Sequence, residues 1–128
     1  FDFTDCPDIA QTLAVVFAAK AMSVQLTGLK TLKIKETDRI NALHVELKKL
    51  GIETEVTNES LKILPSIMKL SQSAIQTYHD HRMALAFAPL ALVLDYIDIE
   101  DPQVIEKSYP EYWGHLKQLG FTIDEVSY

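Results

Sequence analysis

Positively charged side chains gather at the starts of predicted helices in this 128-residue chain. The N-terminal end of a helix carries partial positive charge and free N–H groups, so a cation there is disfavoured by about 0.3–1 kcal/mol. A bound anion removes this conflict, because backbone N–H groups, arginine and lysine all bind phosphate and carboxylate groups. The sequence therefore predicts an anion site assembled from several loops, and the cations expected to form it are Lys35, Arg39, His81, Arg82 and Lys107.

Local ion pairing is the alternative explanation for these charges. An acidic residue stands two or three positions from several of the cations, and such surface pairs are common and weak. Pairing accounts for one segment at a time, whereas each of three helix starts would need its own partner. The local pairs expected on this alternative are Glu36 with Arg39, Asp38 with Lys35, and Asp80 with Arg82.

Two carboxylates, Asp8 and Glu36, belong to the same segments. An acid near several cations stays ionised and can accept a proton from a substrate hydroxyl or pass one to a carbon atom. Asp8 also lies near a predicted helix start, where it would cap N–H groups, so catalysis and capping both remain open. A zinc site at His79 and His81 is disfavoured, because no third or fourth ligand is near them in the sequence.

The elements that position these residues follow from the apolar pattern. Residues 8–22 are apolar on nearly every side and predict a buried helix, and apolar residues stepping by three and four predict a helix over 37–50. Pro89 is expected to kink or shift a third apolar helix over 82–94. The other predicted elements are strands at 23–27 and 31–34, a hairpin of 52–56 with 61–63, short strands at 74–78 and 96–99, a helix opened by Pro110, and a terminal strand over 121–126.

This order of elements predicts an α/β or α+β fold in one piece over residues 1–128, with helices packed inside a shell that includes sheets. The net charge of −6 argues against a general nucleic-acid binder. The longest apolar runs are shorter than the ~20 residues that span a bilayer, so no membrane contact is expected. A single cysteine implies no oxidising compartment, and a cytoplasmic protein is expected. Because the chain begins at Phe1, it is expected to be cut from something longer.

Four stretches of the chain carry a family resemblance: DCPDIAQTLAVVFAA, LKIKETDRINALHVELKKLG, TYHDHRMALAFAPLAL and KSYPEYWGHLKQLG. Together they resemble the C-terminal part of the 5-enolpyruvylshikimate-3-phosphate synthases, also called 3-phosphoshikimate 1-carboxyvinyltransferases. K-E-T-D-R followed at this distance by D-H-R-M is highly specific. The resemblance implies a two-domain enzyme, an inside-out α/β barrel in which each domain is built from three βαβαββ units.

The resemblance also implies a reaction in the shikimate pathway to aromatic amino acids. The family transfers the enolpyruvyl group of phosphoenolpyruvate to the 5-hydroxyl of shikimate 3-phosphate and releases phosphate. It uses no metal and no organic cofactor, and glyphosate is an implied inhibitor. The N-terminal domain of the same chain is the implied partner, because it supplies most contacts to shikimate 3-phosphate. The 128 residues alone are therefore expected to show no turnover.

Residue roles are carried over from the family by matching motifs. Asp8 resembles the acid at the shikimate hydroxyl, Lys35 the lysine beside it, and Glu36 the acid proposed to move a proton at the phosphoenolpyruvate methylene. His79 departs from the family, which usually has Asn or Asp there. The residues that resemble the phosphoenolpyruvate pocket are Arg39, Arg82 and Lys107, which bind its carboxylate and phosphate, and His81, which lines it.

Two other functions compete with this interpretation. The sister enolpyruvyl transferase acting on UDP-N-acetylglucosamine shares the fold, but K-E-T-D-R and D-H-R-M are not expected in it. A non-catalytic anion-binding or subunit-interaction domain would need only local ion pairs, with its cations on separate surfaces.

Overall fold

The computed structural model describes residues 1–35 and 37–125 of the chain. Its helices and strands are short, and single turns of 3-10 helix precede or extend several of them. The α-helices are α1 (Ala10–Ala19), α2 (Arg39–Lys49), α3 (His81–Phe87) and α4 (Tyr112–Gln118); the strands are β1 (Val24–Leu26), β2 (Thr54–Val56) and β3 (Leu61–Ile63); and the 3-10 segments are Pro7–Ile9, Lys30–Ile34, Ala88–Leu92 and Pro102–Ile105.

The three strands form one antiparallel sheet in the order β1-β3-β2. Ile63 in the central strand lies opposite both Val24 and Thr54. Leu61 and Ile63 are buried while Lys62 between them is exposed, so one face of the sheet is turned to the core. The predicted pairing of β2 with β3 in a hairpin is confirmed.

The main core lies between the helices and the buried face of the sheet. α1 packs against α3 and α2, and α2 packs against β2. The predicted helix over 37–50 is confirmed, with Asp38 accepting a hydrogen bond from the N–H of Asn41 at its start and Gly51 in the left-handed region after its end. Its apolar stripe is buried, as predicted, and consists of Ile40, Leu43, Leu47 and Leu50.

The predicted strand over 31–34 is wrong, because Lys30–Ile34 form a 3-10 turn. Leu29 and Leu32 are both buried, and the N–H of Leu32 donates to the carbonyl of Leu29, whereas Ile34 is 81% exposed. Burial of residues three apart suits a 3-10 turn, whose side chains repeat every three residues. A segment of four residues is too short for its sequence pattern to distinguish a strand from a 3-10 turn.

The predicted strand over 23–27 is confirmed as β1, whereas the other single strands predicted are largely absent. Segments 74–78 and 96–99 meet only at an isolated bridge between Ile75 and Ile99. Residues 121–125 contain no strand, and Val126 lies outside the described residues.

The remaining helix predictions are confirmed with changed boundaries. The first helix starts as the 3-10 turn Pro7–Ile9 and ends at Ala19, and the last begins at Tyr112. α3 ends at Phe87 and continues as a 3-10 turn, because Pro89 has no N–H to donate within an α-helix. None of the helices in the described part is long and apolar enough to cross a membrane.

Candidate functional site

Asp80 connects two helices at the centre of the candidate site. It is fully buried, and its side chain accepts a hydrogen bond from the N–H of Arg82, which caps α3. The same carboxylate accepts hydrogen bonds from Arg39 Nε at 2.7 Å and Nη2 at 3.3 Å. Arg39 is the first residue of α2 and is 2% exposed. The two-bond contact therefore fixes the start of α2 against the start of α3.

Asp8 joins the same cluster from the other side of Arg39. Its Oδ1 lies 3.1 Å from Arg39 Nη1 and 3.5 Å from Lys35 Nζ. Asp8 stands in the 3-10 turn Pro7–Ile9, and neither that turn nor α1 has a side-chain cap. Asp8 therefore does not cap a helix through its side chain, which was one of the two roles expected for it. Its side chain instead pairs with Lys35 and Arg39.

Two of the three local ion pairs expected on the alternative explanation join described residues, and neither of them forms. Asp38 lies 3.9 Å from Lys33 rather than beside Lys35, and it caps α2. Asp80 contacts Arg82 only through the backbone N–H. The cations are instead paired across the fold, because a buried guanidinium such as that of Arg39 requires a carboxylate partner. The third local pair involves Glu36, which lies outside the described residues.

His81 and Arg82 are the first two residues of α3, and both are half-buried. His81 Nδ1 lies 3.9 Å from Asp80 Oδ1, which places the ring beside the cluster. Within residues 1–35 and 37–125, the Arg82 side chain makes no hydrogen bond or ion pair. Its charge is therefore available to an anion that approaches the start of α3.

Lys107 is exposed on a segment that docks on α3. Ile105 packs in a second core cluster with Ala84 and Ala88, and the Tyr112 hydroxyl donates to the carbonyl of Leu85 at 3.2 Å. Burial, and secondarily the nearby Tyr109, raises the pKa of Tyr112 to about 12, so its hydroxyl remains a donor at neutral pH. In the described chain Lys107 also has no carboxylate partner.

The structure joins some of the predicted site residues through direct contacts. Arg82 lies next to them at the start of α3, whereas no contact in the described chain links Lys107 to them. The contacts form one connected set, which consists of Asp8, Lys35, Arg39, Asp80 and His81. Positive and negative formal charges in this set cancel. Neither Arg82 nor Lys107 has a carboxylate partner in the described chain, and the charge of Arg82 at the start of α3 favours an anionic ligand there.

The contacts of two buried polar residues at the site, Asp80 and Gln11, were not predicted from the sequence. Asp80 was expected only as a local partner of Arg82, and its bond to Arg39 crosses 41 positions of the chain. Gln11, one turn after Asp8, is fully buried and donates to Met83 Sδ at 3.2 Å, while its Oε1 has no partner among the described residues. The only sequence feature that indicates a buried polar side chain here is a single glutamine in an otherwise apolar helix.

No group of three or more His, Cys, Asp or Glu side chains in the described ranges is arranged to hold a metal ion. His79 is exposed and has a φ of 56°, in the left-handed region. The chemistry that these residues can supply is therefore that of cations, carboxylates and one imidazole.

Comparisons with known proteins give this arrangement a context. The family model described as EPSP synthase (3-phosphoshikimate 1-carboxyvinyltransferase) matches residues 1–116. A relative from Bacteroides fragilis named 3-phosphoshikimate 1-carboxyvinyltransferase is 48% identical over 124 residues, which make up 95% of this chain and 30% of the relative. Another of that name, from Nostoc punctiforme, is 37% identical over 118 residues, or 92% of this chain and 27% of the relative.

A solved structure supports the same grouping. The structure of EPSP synthase from Acinetobacter baumannii matches 94% of this chain and 29% of its own, with a TM-score of 0.76 and 26% identity. This match confirms the predicted fold class. The chain spans about 30% of the length of the curated relatives it matches.

Proposed function

The chain belongs to the EPSP synthase family, and we propose that it forms the C-terminal part of an enzyme that transfers the enolpyruvyl group of phosphoenolpyruvate to the 5-hydroxyl of shikimate 3-phosphate. Residues 1–128 form one piece of that enzyme, and the rest of the enzyme supplies the other contacts. One structural observation carries the proposal: Arg39 at the start of α2 pairs with Asp80, which caps the start of α3, where His81 and Arg82 lie.

Phosphoenolpyruvate carries a carboxylate and a phosphate, so its site needs several cations. Arg82 and Lys107 bind these groups directly, since neither has a carboxylate partner in the described chain. Two carboxylates, those of Asp80 and Asp8, fix the guanidinium of Arg39 beside the start of α3. His81 lines the pocket beside Asp80 and donates from its ring.

Asp8 and Lys35 act at the attacking hydroxyl. Lys35 and Arg39 both contact Asp8 through its Oδ1, and Oδ2 accepts no hydrogen bond from a described residue. The Asp8 side chain is 42% exposed, so Oδ2 is accessible to a substrate hydroxyl. Asp8 accepts the proton from that hydroxyl as its oxygen attacks, and Lys35 stabilises the oxygen.

The reaction balances in two steps. The hydroxyl oxygen bonds to the central carbon of phosphoenolpyruvate while the methylene carbon gains a proton, which gives a tetrahedral phospho-ketal. The carbon–phosphate oxygen bond then breaks, a proton leaves the methyl group, and the enol ether and inorganic phosphate are released. Glu36 is proposed to move the proton at the methylene carbon.

A phosphate-release assay on the full-length protein that carries this chain tests the proposal. Release of phosphate is expected with phosphoenolpyruvate and shikimate 3-phosphate together, and not when UDP-N-acetylglucosamine replaces the acceptor. The 128 residues alone are expected to release none. Absence of turnover in the full-length protein, or turnover with the sugar nucleotide instead, would overturn the proposal.

A further inference from the structure

Glu46 is a buried carboxylate that the proposed chemistry does not use. It lies in the third turn of α2 and is fully buried. Its Oε1 accepts hydrogen bonds from Lys49 Nζ at 2.7 Å and from the N–H of Gln76 at 2.8 Å, and its Oε2 accepts from the Tyr78 hydroxyl at 2.6 Å. A carboxylate is stable in the interior only when its oxygens are bonded in this way.

The segment that Glu46 contacts has little regular structure and an unfavourable backbone. Tyr78 has a φ of 55° and His79 a φ of 56°. This left-handed region costs an L-residue about 1–2 kcal/mol. Besides the bonds to Glu46, the segment is held by the Ile75 bridge to Ile99 and by Thr77 Oγ1, which donates to the carbonyl of Glu100 at 3.2 Å. Such a turn persists only when its surroundings determine it.

This turn places Asp80. The N–H of Asp80 donates to the carbonyl of Thr77 at 2.8 Å, so the direction of its carboxylate depends on the two left-handed residues between them. That carboxylate in turn binds Arg39 and caps α3 at Arg82. A change at Tyr78 is therefore transmitted to the groups that the proposed function assigns to anion binding.

One face of α2 contacts this turn at two points. Arg39 and Glu46 are seven residues apart, which is close to two helical turns, so they lie on the same face about 10 Å apart along the axis. Arg39 contacts Asp80 at one end of the turn, and Glu46 contacts Gln76 and Tyr78 at the other. α2 thus fixes both ends of the turn.

We propose that Glu46 and Tyr78 are positioning residues, which hold the turn at Tyr78–His79 so that Asp80, Arg39 and Arg82 are oriented to bind phosphoenolpyruvate. The inference rests on the proposed function for its ligand. Burial, together with the hydrogen bond to Glu46 and its charge, raises the pKa of Tyr78, so that its hydroxyl stays a donor to this carboxylate.

Tyr78→Phe in the full-length protein tests the positioning role. The variant removes one hydroxyl and keeps the ring, which packs against the main core. Loss of a hydrogen bond to a charged group is expected to raise the KM for phosphoenolpyruvate about tenfold, with the KM for shikimate 3-phosphate within about twofold. Tyr96→Phe is the matched control, because Tyr96 is 54% exposed and its hydroxyl makes no hydrogen bond in the described chain.

Glu46→Gln is the second variant, because it keeps the shape of the side chain and removes its charge. Like Tyr78→Phe, it is expected to raise the KM for phosphoenolpyruvate. A purely structural role would lower Tm and the amount of active enzyme while leaving both KM values unchanged, and that result would overturn the inference.

Amide hydrogen exchange separates this inference from the proposed function, because it needs no turnover. Exchange at residues 80–82 is expected to be about tenfold faster in Tyr78→Phe than in wild type or Tyr96→Phe. Unchanged exchange refutes the positioning role even in an active enzyme. Faster exchange in a protein that releases no phosphate supports the effect on the turn and refutes the proposed function alone.

Discussion

The carboxylate of Asp8 contacts Lys35 and Arg39 through one oxygen, and its other oxygen accepts no hydrogen bond in the described chain. Two cations on Oδ1 hold the group in one orientation, and Oδ2 is then the atom able to meet a hydroxyl. This asymmetry is what a general base requires, since the base must reach the proton it removes while the rest of the group is fixed.

Asp8→Asn tests this role directly. The amide cannot accept the hydroxyl proton, so kcat of the full-length enzyme is expected to fall about 10²–10⁴-fold. Removal of a negative charge beside Lys35 and Arg39 is expected to leave the KM for phosphoenolpyruvate unchanged or lower. Steady-state phosphate release measures both values.

Asp5→Asn is the control for Asp8→Asn, because Asp5 is exposed and makes no hydrogen bond or ion pair in the described chain. It is expected to match wild type. A kcat for Asp8→Asn within about fivefold of wild type would exclude Asp8 as the base.

At the scale of elements, α2 is the helix that organises the site. Its apolar stripe packs in the core, and the buried Arg39 and Glu46, which lie along one edge of that stripe, hold the segment that leads into α3. The same helix therefore contributes both to stability and to the orientation of the anion site.

Gly28 connects β1 to the 3-10 turn that precedes Lys35, and its backbone requires glycine. Its φ is +73°, and an added Cβ would lie against the backbone N and side chain of Thr4 and the carboxylate of Asp2. Gly28→Ala is therefore expected to lower the free energy of unfolding by roughly 1–3 kcal/mol, measured by urea denaturation.

Gly114→Ala is the matched control, and its expected effect on the free energy of unfolding has the opposite sign. Gly114 lies within α4, and no described atom lies within 4 Å of an added Cβ. The substitution is expected to raise stability by about 0.5–1 kcal/mol through helix propensity. Equal effects of the two substitutions would contradict the structural account of Gly28.

Sequence patterns were sufficient for the elements whose signal is local. The stripe of α2, the β2–β3 hairpin and the effect of Pro89 are each encoded within a few neighbouring residues. The strand over 31–34 was predicted wrongly because a run of four residues fits both a strand and a 3-10 turn.

Long-range polar contacts could not be predicted from such local sequence patterns. The bonds of Asp80 to Arg39 and of Glu46 to Tyr78 join positions 41 and 32 residues apart, and nothing near either residue indicates the partner. The sequence therefore predicted candidate cations and Asp8, while the partners of Asp80 and Glu46 needed the structure.

At the scale of the whole molecule, the buried Tyr112 and the half-buried Tyr78 link stability to alkaline pH. Burial raises the pKa of Tyr112 to about 12 and also raises that of Tyr78 above its usual 10. Their folded forms hold the proton more tightly than the unfolded chain does. Their contribution to stability is therefore complete below pH 10 and is lost as the pH rises towards 12 and beyond.

Tyr112→Phe is expected to make the fall in stability between pH 10 and 12 less steep, because it removes one titrating group. Urea denaturation across this range measures the slope, and Tyr96→Phe provides an exposed control. An unchanged slope in Tyr112→Phe would show that the pKa of this hydroxyl does not differ between the folded and unfolded states.

A crystal structure of the full-length protein with phosphoenolpyruvate tests the central claim most directly. The account predicts carboxylate and phosphate oxygens within about 3.2 Å of Arg82 and Lys107, with Arg39 still paired to Asp80. Binding elsewhere, for instance at the surface lysines Lys48 and Lys69 that border a shallow cavity at the end of α2, would contradict it. So would a complex in which Arg82 and Lys107 contact no oxygen of the ligand.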